Sequence, residues 1–113
     1  MGRREFFALE AGEYLERLAL LAGGTTVPDA EDLVRYARAL RGAALMAGPP
    51  GYAAAAAAIE YVAKAYKDGS LGWNPSLAEP LSHAIEECKT LLRKLREWSD
   101  LDVQRCDRIT EQL

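Results

Sequence analysis

The clearest chemical pattern in this chain is three arginines at three-residue steps, Arg35, Arg38 and Arg41, followed at once by Gly42. Residues three or four positions apart share one face of a helix. We therefore predict a surface strip made of Arg35, Arg38, Arg41, Gly42 and Leu45, called the arginine strip below. A guanidinium group stays protonated and only donates hydrogen bonds, so the strip offers fixed positive charge and neither a nucleophile nor a base.

Gly42 is an unusual residue for the interior of a helix, because glycine there costs roughly 1 kcal/mol relative to alanine. Its missing side chain would let another surface approach the helix backbone beside residue 38. The arginine strip is rotated away from the apolar stripe of the same segment, and we expect it to face solvent. The pattern therefore indicates either a docking surface or simply a solvated basic face.

Other reactive side chains in the sequence do not form a recognisable catalytic or metal-binding group. Cys88 and Cys106 lack the spacing of a metal site, and one histidine cannot complete a zinc site with them. We expect reduced core thiols, as in cytoplasmic proteins, with a disulfide as the alternative. Nucleophile–base pairs and glycine-rich phosphate loops are missing, so we predict a protein that is not an enzyme and needs no metal or cofactor.

Composition and charge narrow the class of protein further. The 113 residues suit one domain, and 50% apolar with 27% charged residues is a globular balance. A net charge of −3 gives no reason to expect nucleic acid as a partner. No apolar run approaches the ~20 residues of a membrane span, and no signal peptide is evident. We therefore expect a cytoplasmic protein with no membrane partner.

Helical periodicity dominates the sequence, and no segment shows convincing strand alternation. Four helices are expected, separated by Gly23-Gly24, by the GPPG turn at 48–51 and by Asp68-Gly69-Ser70. Pro28 suits the first turn of the second helix, and Asn74 with Pro75 suits the start of the fourth. The apolar positions predicted for the four stripes are Phe7, Ala11, Tyr14, Leu18 and Leu21; Leu33, Ala37, Leu40, Ala44 and Ala47; Ile59, Val62 and Tyr66; and Leu77, Leu81, Ile85, Cys88, Leu92 and Leu95.

These segments predict an all-α fold, an up-down-up-down four-helix bundle over residues 1–98. Ser99 and Asp102 resemble a capping box that opens a short additional helix over residues 99–113, packed on the bundle or extending from it. Pro80 should kink or delay the fourth helix, because proline lacks an amide donor. Six consecutive alanines in the third helix favour close packing between helices, either within the bundle or with a second chain.

The segment ARALRGAALMAG resembles the A-H-x-L-K-G-x-x-x-x-x-G signature of histidine phosphotransfer (HPt) domains, in particular those of chemotaxis histidine kinases. The resemblance extends from about Phe6 to Trp98 and includes a DG-x-L turn before a helix that begins with proline. It implies a module of two-component signal transduction and phosphorelay. The implied partner is a response-regulator receiver domain or a histidine kinase.

Arg38 stands where this family has its phosphorylated histidine, while Arg41 and Gly42 match the lysine and glycine of the signature. A phosphoryl acceptor needs a lone pair on nitrogen, which a guanidinium lacks at physiological pH. The resemblance therefore implies a pseudo-phosphotransfer domain. His83 is read as a solvated surface residue beside Glu87, and a relocated phosphorylation site is the alternative.

Two functions follow as expectations. In the first, the arginine strip docks onto the acidic active site of a receiver and engages in protein–protein interaction without phosphotransfer. In the second, the protein is a structural or oligomerising bundle that uses the alanine-rich third helix or the C-terminal helix. The sequence leaves open whether the chain is free-standing or part of a larger signalling protein, although its initial methionine and final helix favour the former.

Overall fold

A computed structural model describes residues 3–94, 106 and 108–111 of the chain, and its side chains from residue 6 onward. Four helices follow one another: α1 (Arg3–Gly23), α2 (Ala30–Ala47), α3 (Tyr52–Lys67) and α4 (Pro75–Arg93). Residues 106 and 108–111 are also helical, and the described residues contain no strand. The predicted all-α bundle with a short C-terminal helix is therefore confirmed.

Consecutive helices pack side by side, and α4 returns to contact both α1 and α3. The core between them is apolar and closed, and it includes most of the predicted stripe positions on all four helices. Its fully buried large side chains are Tyr52, Phe7, Leu15, Leu18, Leu33, Leu40, Ile59, Leu81, Ile85, Leu91, Cys88 and Cys106. Leu15 and Leu91 take places that the sequence assigned to Tyr14 and Leu92, which are only half-buried.

Capping side chains explain where two of the helices begin. The carboxylate of Asp29 accepts a hydrogen bond from the Asp32 backbone amide at 3.0 Å, so α2 begins at Ala30. Pro28 therefore lies just outside the helix rather than in its first turn, which corrects the sequence prediction. Asn74 caps α4 through the Leu77 amide at 3.1 Å, with Pro75 first in the helix as expected.

Pro80 does not delay the fourth helix, which is helical from Pro75 onward through residue 80. The alternative of a delayed start was therefore wrong, because the Asn74 cap fixes the first turn before the proline is reached; the alternative of a kink stays a prediction. Pro80 is exposed and lacks the amide that would bond to the carbonyl of Ser76.

The alanine-rich α3 packs inside the bundle. Ala55, Ala56 and Ala63 are completely buried, which is the intramolecular use of small residues that the sequence allowed. Tyr52 opens the helix, and its hydroxyl donates to the backbone carbonyl of Cys88 on α4 at 2.9 Å. Its ring meets Phe7 edge-on with centroids 5.3 Å apart, so one residue ties α3 to both α1 and α4.

The predicted capping box at Ser99 and Asp102, and the packing of Leu95, lie outside the described residues. The division of the chain at residue 98 stays a prediction for the same reason. Within the part of the chain that the structure describes, no helix is long and apolar enough to cross a membrane.

Candidate functional site

The arginine strip lies along α2 on the side next to α3. Arg35 and Arg38 are exposed, with 66% and 59% of their side-chain surface accessible, whereas Arg41 is covered more deeply at 37%. Leu45 continues the strip and is exposed at 65%. The structure therefore places the five predicted residues on one continuous surface, as helical spacing requires.

Glu60 on α3 is the residue that organises this surface. Only 6% of its side-chain surface is accessible, yet three cations surround its carboxylate. Arg38 Nε donates to Oε2 at 3.1 Å, Arg41 Nε lies 2.6 Å from Oε1, and Lys64 Nζ lies 3.6 Å from Oε2. The Arg38 contact is a directed hydrogen bond, while the Arg41 contact is an ion pair in which the N–H does not point at the oxygen.

The charge state of Glu60 follows from two opposing effects. Burial acts to raise the pKa of the carboxyl group, because a charged form loses water. The hydrogen bond from Arg38 and the charges of Arg41 and Lys64 outweigh burial, so the pKa lies below its ordinary value. Glu60 is therefore ionised at neutral pH, and the carboxylate holds the two guanidinium groups beside each other.

The expectation that the strip faces solvent holds for Arg35 and Arg38, whereas Arg41 is covered more deeply. Arg35 fits it, since its partners are local: Asp32 at 2.9 Å and the ring of Tyr36, whose centroid lies 5.0 Å from the guanidinium carbon. Arg38 and Arg41 instead reach across to α3, because the buried carboxylate of Glu60 needs cationic partners.

Gly42 presents bare backbone in the middle of the strip. A β-carbon placed on it would meet no atom within 4 Å, so no packing inside the bundle requires a glycine here. Close to Gly42 along α2, Leu45 and Met46 are exposed at 65% and 81%. On the other side of Arg38, a shallow groove of about 380 Å³ is lined by Glu31, Asp32, Val34, Arg35, Arg38 and Lys67. Open backbone, exposed apolar side chains and guanidinium groups therefore lie together.

The remaining candidate residues lie elsewhere. His83 is exposed on α4, and its Nε2 lies 3.8 Å from Glu87, which agrees with the solvated reading. Cys88 and Cys106 are buried thiols, and burial raises the pKa of Cys88 to about 12, so it stays protonated at neutral pH. The described residues contain no cluster of three or more His, Cys, Asp or Glu side chains that could hold a metal.

Sequence reasoning missed Glu60, although a signal was available. It is the sole acidic residue in α3, and it falls on the helical spacing of the buried residues Ala56 and Ala63. An acid at a core position is rarely left without a cation. Arg38 and Arg41, the members of the arginine strip that pair with Glu60, were the candidate cations.

Comparison with models of protein families matches the chain to the Hpt domain over residues 4–109. The match includes all of α2 with the arginine strip, and all of α3 with Glu60. No significant match was found among curated proteins. The same holds for solved structures.

Proposed function

Because the chain belongs to the Hpt domain family, the phosphotransfer modules of two-component signalling, we propose that it docks a receiver domain through the arginine strip without phosphotransfer. We further propose that it is of the chemotaxis-kinase type, on the DG-x-L turn at 68–71. Its proposed partners are receiver domains or a histidine kinase in the cytoplasm.

The loss of phosphotransfer rests on the chemistry of residue 38. By the resemblance to the family signature, Arg38 stands at the position of the acceptor histidine, and a guanidinium offers no lone pair to phosphorus. The remaining histidine, His83, lies on α4 and not on the arginine strip. Residue 38 would therefore lie on the docking surface but lack the nitrogen lone pair that attacks phosphorus.

The observation that carries the docking role is the anchoring of Arg38 and Arg41 by buried Glu60. A solvated arginine samples many rotamers, and ordering it on binding costs free energy. Here Glu60 already positions the Nε atoms of Arg38 and Arg41 in the unbound protein. Less conformational entropy is therefore lost when these side chains bind a partner. Preorganised donors beside the bare backbone of Gly42 suit recognition of an acidic surface.

The test is a binding screen by calorimetry that pairs the protein with the receiver domains of its own organism. We expect at least one receiver to bind, and Arg38→Met to weaken that binding by about tenfold or more. Methionine is chosen over glutamate because a second carboxylate beside Glu60 would itself disturb the fold. Arg17→Met, at an exposed arginine on α1, is the matched control and should bind as the unmodified protein does.

A parallel assay with radiolabelled phosphoryl donors tests the missing transfer. Incubation with phosphorylated receivers or an active kinase should leave this protein unlabelled. Acid-labile label on His83 would contradict the proposal, and so would receivers that bind Arg38→Met as tightly as the unmodified protein. Equal effects of Arg38→Met and Arg17→Met would indicate general electrostatics rather than a docking site.

The structural or oligomerising role remains the second candidate. Burial of Ala55, Ala56 and Ala63 shows that these three alanines already have a use inside the bundle. A concentration series of light scattering separates the two roles, because a docking module stays monomeric while an oligomerising bundle gains mass.

A further inference from the structure

We propose that the arginine strip recognises the phosphorylated form of its receiver, binding the aspartyl phosphate as an anion and leaving it in place. This inference rests on the docking role proposed above and specifies which state of the partner is selected. The ligand is a phosphoryl group carried on protein, next to an acidic surface.

The charge balance around Glu60 carries the first step. Three cations, Arg38, Arg41 and Lys64, surround one carboxylate, so the cluster keeps two positive charges. The whole chain has a net charge of −3, so this excess is local. A phosphoryl group carries close to two negative charges at neutral pH and can neutralise it.

The second step concerns the hydrogen-bond donors of Arg38 that Glu60 does not use. Arg38 donates the hydrogen of its Nε to Glu60. Among the described residues, its terminal nitrogens make no hydrogen bond. They belong to a side chain that is 59% accessible. A guanidinium whose Nε is fixed presents its terminal N–H groups as a fork, the geometry that matches two oxygens of a phosphoryl group.

The third step concerns the acids near Arg38. Glu31 and Asp32 line the groove on the side of Arg38 away from Gly42, and Asp32 is paired with Arg35 at 2.9 Å. Glu60 is turned into the bundle and already saturated with cations, so it does not repel an anion that approaches from solvent. The bare backbone of Gly42 lies one turn from Arg38 and leaves room for the receiver loop that carries the phosphoryl group. Since Arg38 has no lone pair to attack phosphorus, the phosphoryl group stays on the aspartate.

The experiment compares each receiver that binds in the screen with and without beryllofluoride, which mimics aspartyl phosphate in the presence of Mg²⁺. We expect the activated receiver to bind about tenfold more tightly or better, equivalent to about 1.4 kcal/mol. Arg38→Met should abolish this preference, and Arg38→Lys should reduce it because lysine keeps the charge but loses the fork. Arg17→Met should keep the full preference. Circular dichroism confirms that each variant is folded.

The outcomes separate the two proposals. Equal affinity for both receiver states overturns phosphoryl recognition while docking stands. If no receiver binds in either state, both proposals fail. Inorganic phosphate is titrated as the competing anion: if 1 mM displaces the activated receiver, the strip is a free-anion site, which overturns the commitment to a protein-borne phosphoryl group. Persistence of the complex at that concentration supports it.

Discussion

A single buried carboxylate determines how the cationic residues of this surface are arranged. Glu60 was not anticipated from the sequence, whereas Arg38, Arg41 and Gly42 were. Spacing along one helix identifies which residues share a face. It cannot report a partner 22 residues away on another helix, since that depends on how α2 and α3 pack. Arg38 faces solvent as expected, at 59% exposure, but its hydrogen bond to Glu60 and the deeper burial of Arg41 were not anticipated for this reason.

Glu60→Gln should destabilise the protein by about 1–3 kcal/mol, because three cations lose the anion that holds them together. Urea unfolding followed by circular dichroism measures the change. Glu86→Gln, at an exposed acid on α4, is the control and should stay within about 0.5 kcal/mol. Equal effects at the two positions would mean that the Glu60 cluster contributes nothing to stability.

The same residue should make stability depend on pH. The folded-state pKa of Glu60 lies below its ordinary value of 4.5, so ionisation stabilises the fold above that pH. This contribution is lost as the pH falls through the folded-state pKa. The difference in unfolding free energy between the unmodified protein and Glu60→Gln should therefore be largest at neutral pH and shrink toward pH 3. A difference that does not change over this range would contradict the assigned ion pairs.

At the scale of elements, helix order and most boundaries followed from local signals. Asn74, Gly69 and the glycines at 48 and 51 act within a few residues of where they stand, so the sequence displays them directly. Of the two effects predicted for Pro80, the delayed start was wrong because a cap upstream outweighed it, while the kink stays a prediction. Tyr52 was missed because its core position depends on Phe7 and on the Cys88 carbonyl, which belong to other helices.

Asn74→Ala should cost about 1 kcal/mol, because the Leu77 amide loses its acceptor at the start of α4. Thermal and urea unfolding both report the loss. Asn74→Ser retains a capping oxygen and should recover most of it, and failure of serine to do so would show that the asparagine acts in another way.

Pro80→Ala should raise stability by about 1 kcal/mol, since alanine supplies the missing amide and favours helix, partly offset by a more flexible unfolded chain. The unfolding midpoint in urea is the measurement. A destabilised Pro80→Ala variant would show that the proline is favourable at this position.

At the scale of the whole molecule, exposed apolar side chains occur on more than one helix. Leu45 in the arginine strip and Met46 beside it are exposed on α2, while Phe6, Leu9 and Leu20 are exposed on α1. The docking proposal assigns a function to the first group only, and this makes the choice of surface testable.

Leu45→Ser should weaken receiver binding several-fold, because an exposed leucine beside the guanidinium groups would be covered in the complex. Leu20→Ser is the matched control, at 68% exposure against 65% for Leu45, and should leave the affinity unchanged. Calorimetry gives both values. If Leu20→Ser weakens receiver binding more than Leu45→Ser does, the docking site lies on α1 rather than on the arginine strip.

The ion pair between Arg38 and Glu60 also bears on how this protein can evolve. Arg38→His would take away the hydrogen bond that Glu60 accepts from Arg38 Nε and would leave this buried acid with Arg41 and Lys64 as its cationic partners. Such a substitution would therefore change stability as well as the chemistry of residue 38. Residues 38 and 60 are thus coupled across two helices, and a substitution at either one changes the environment of the other.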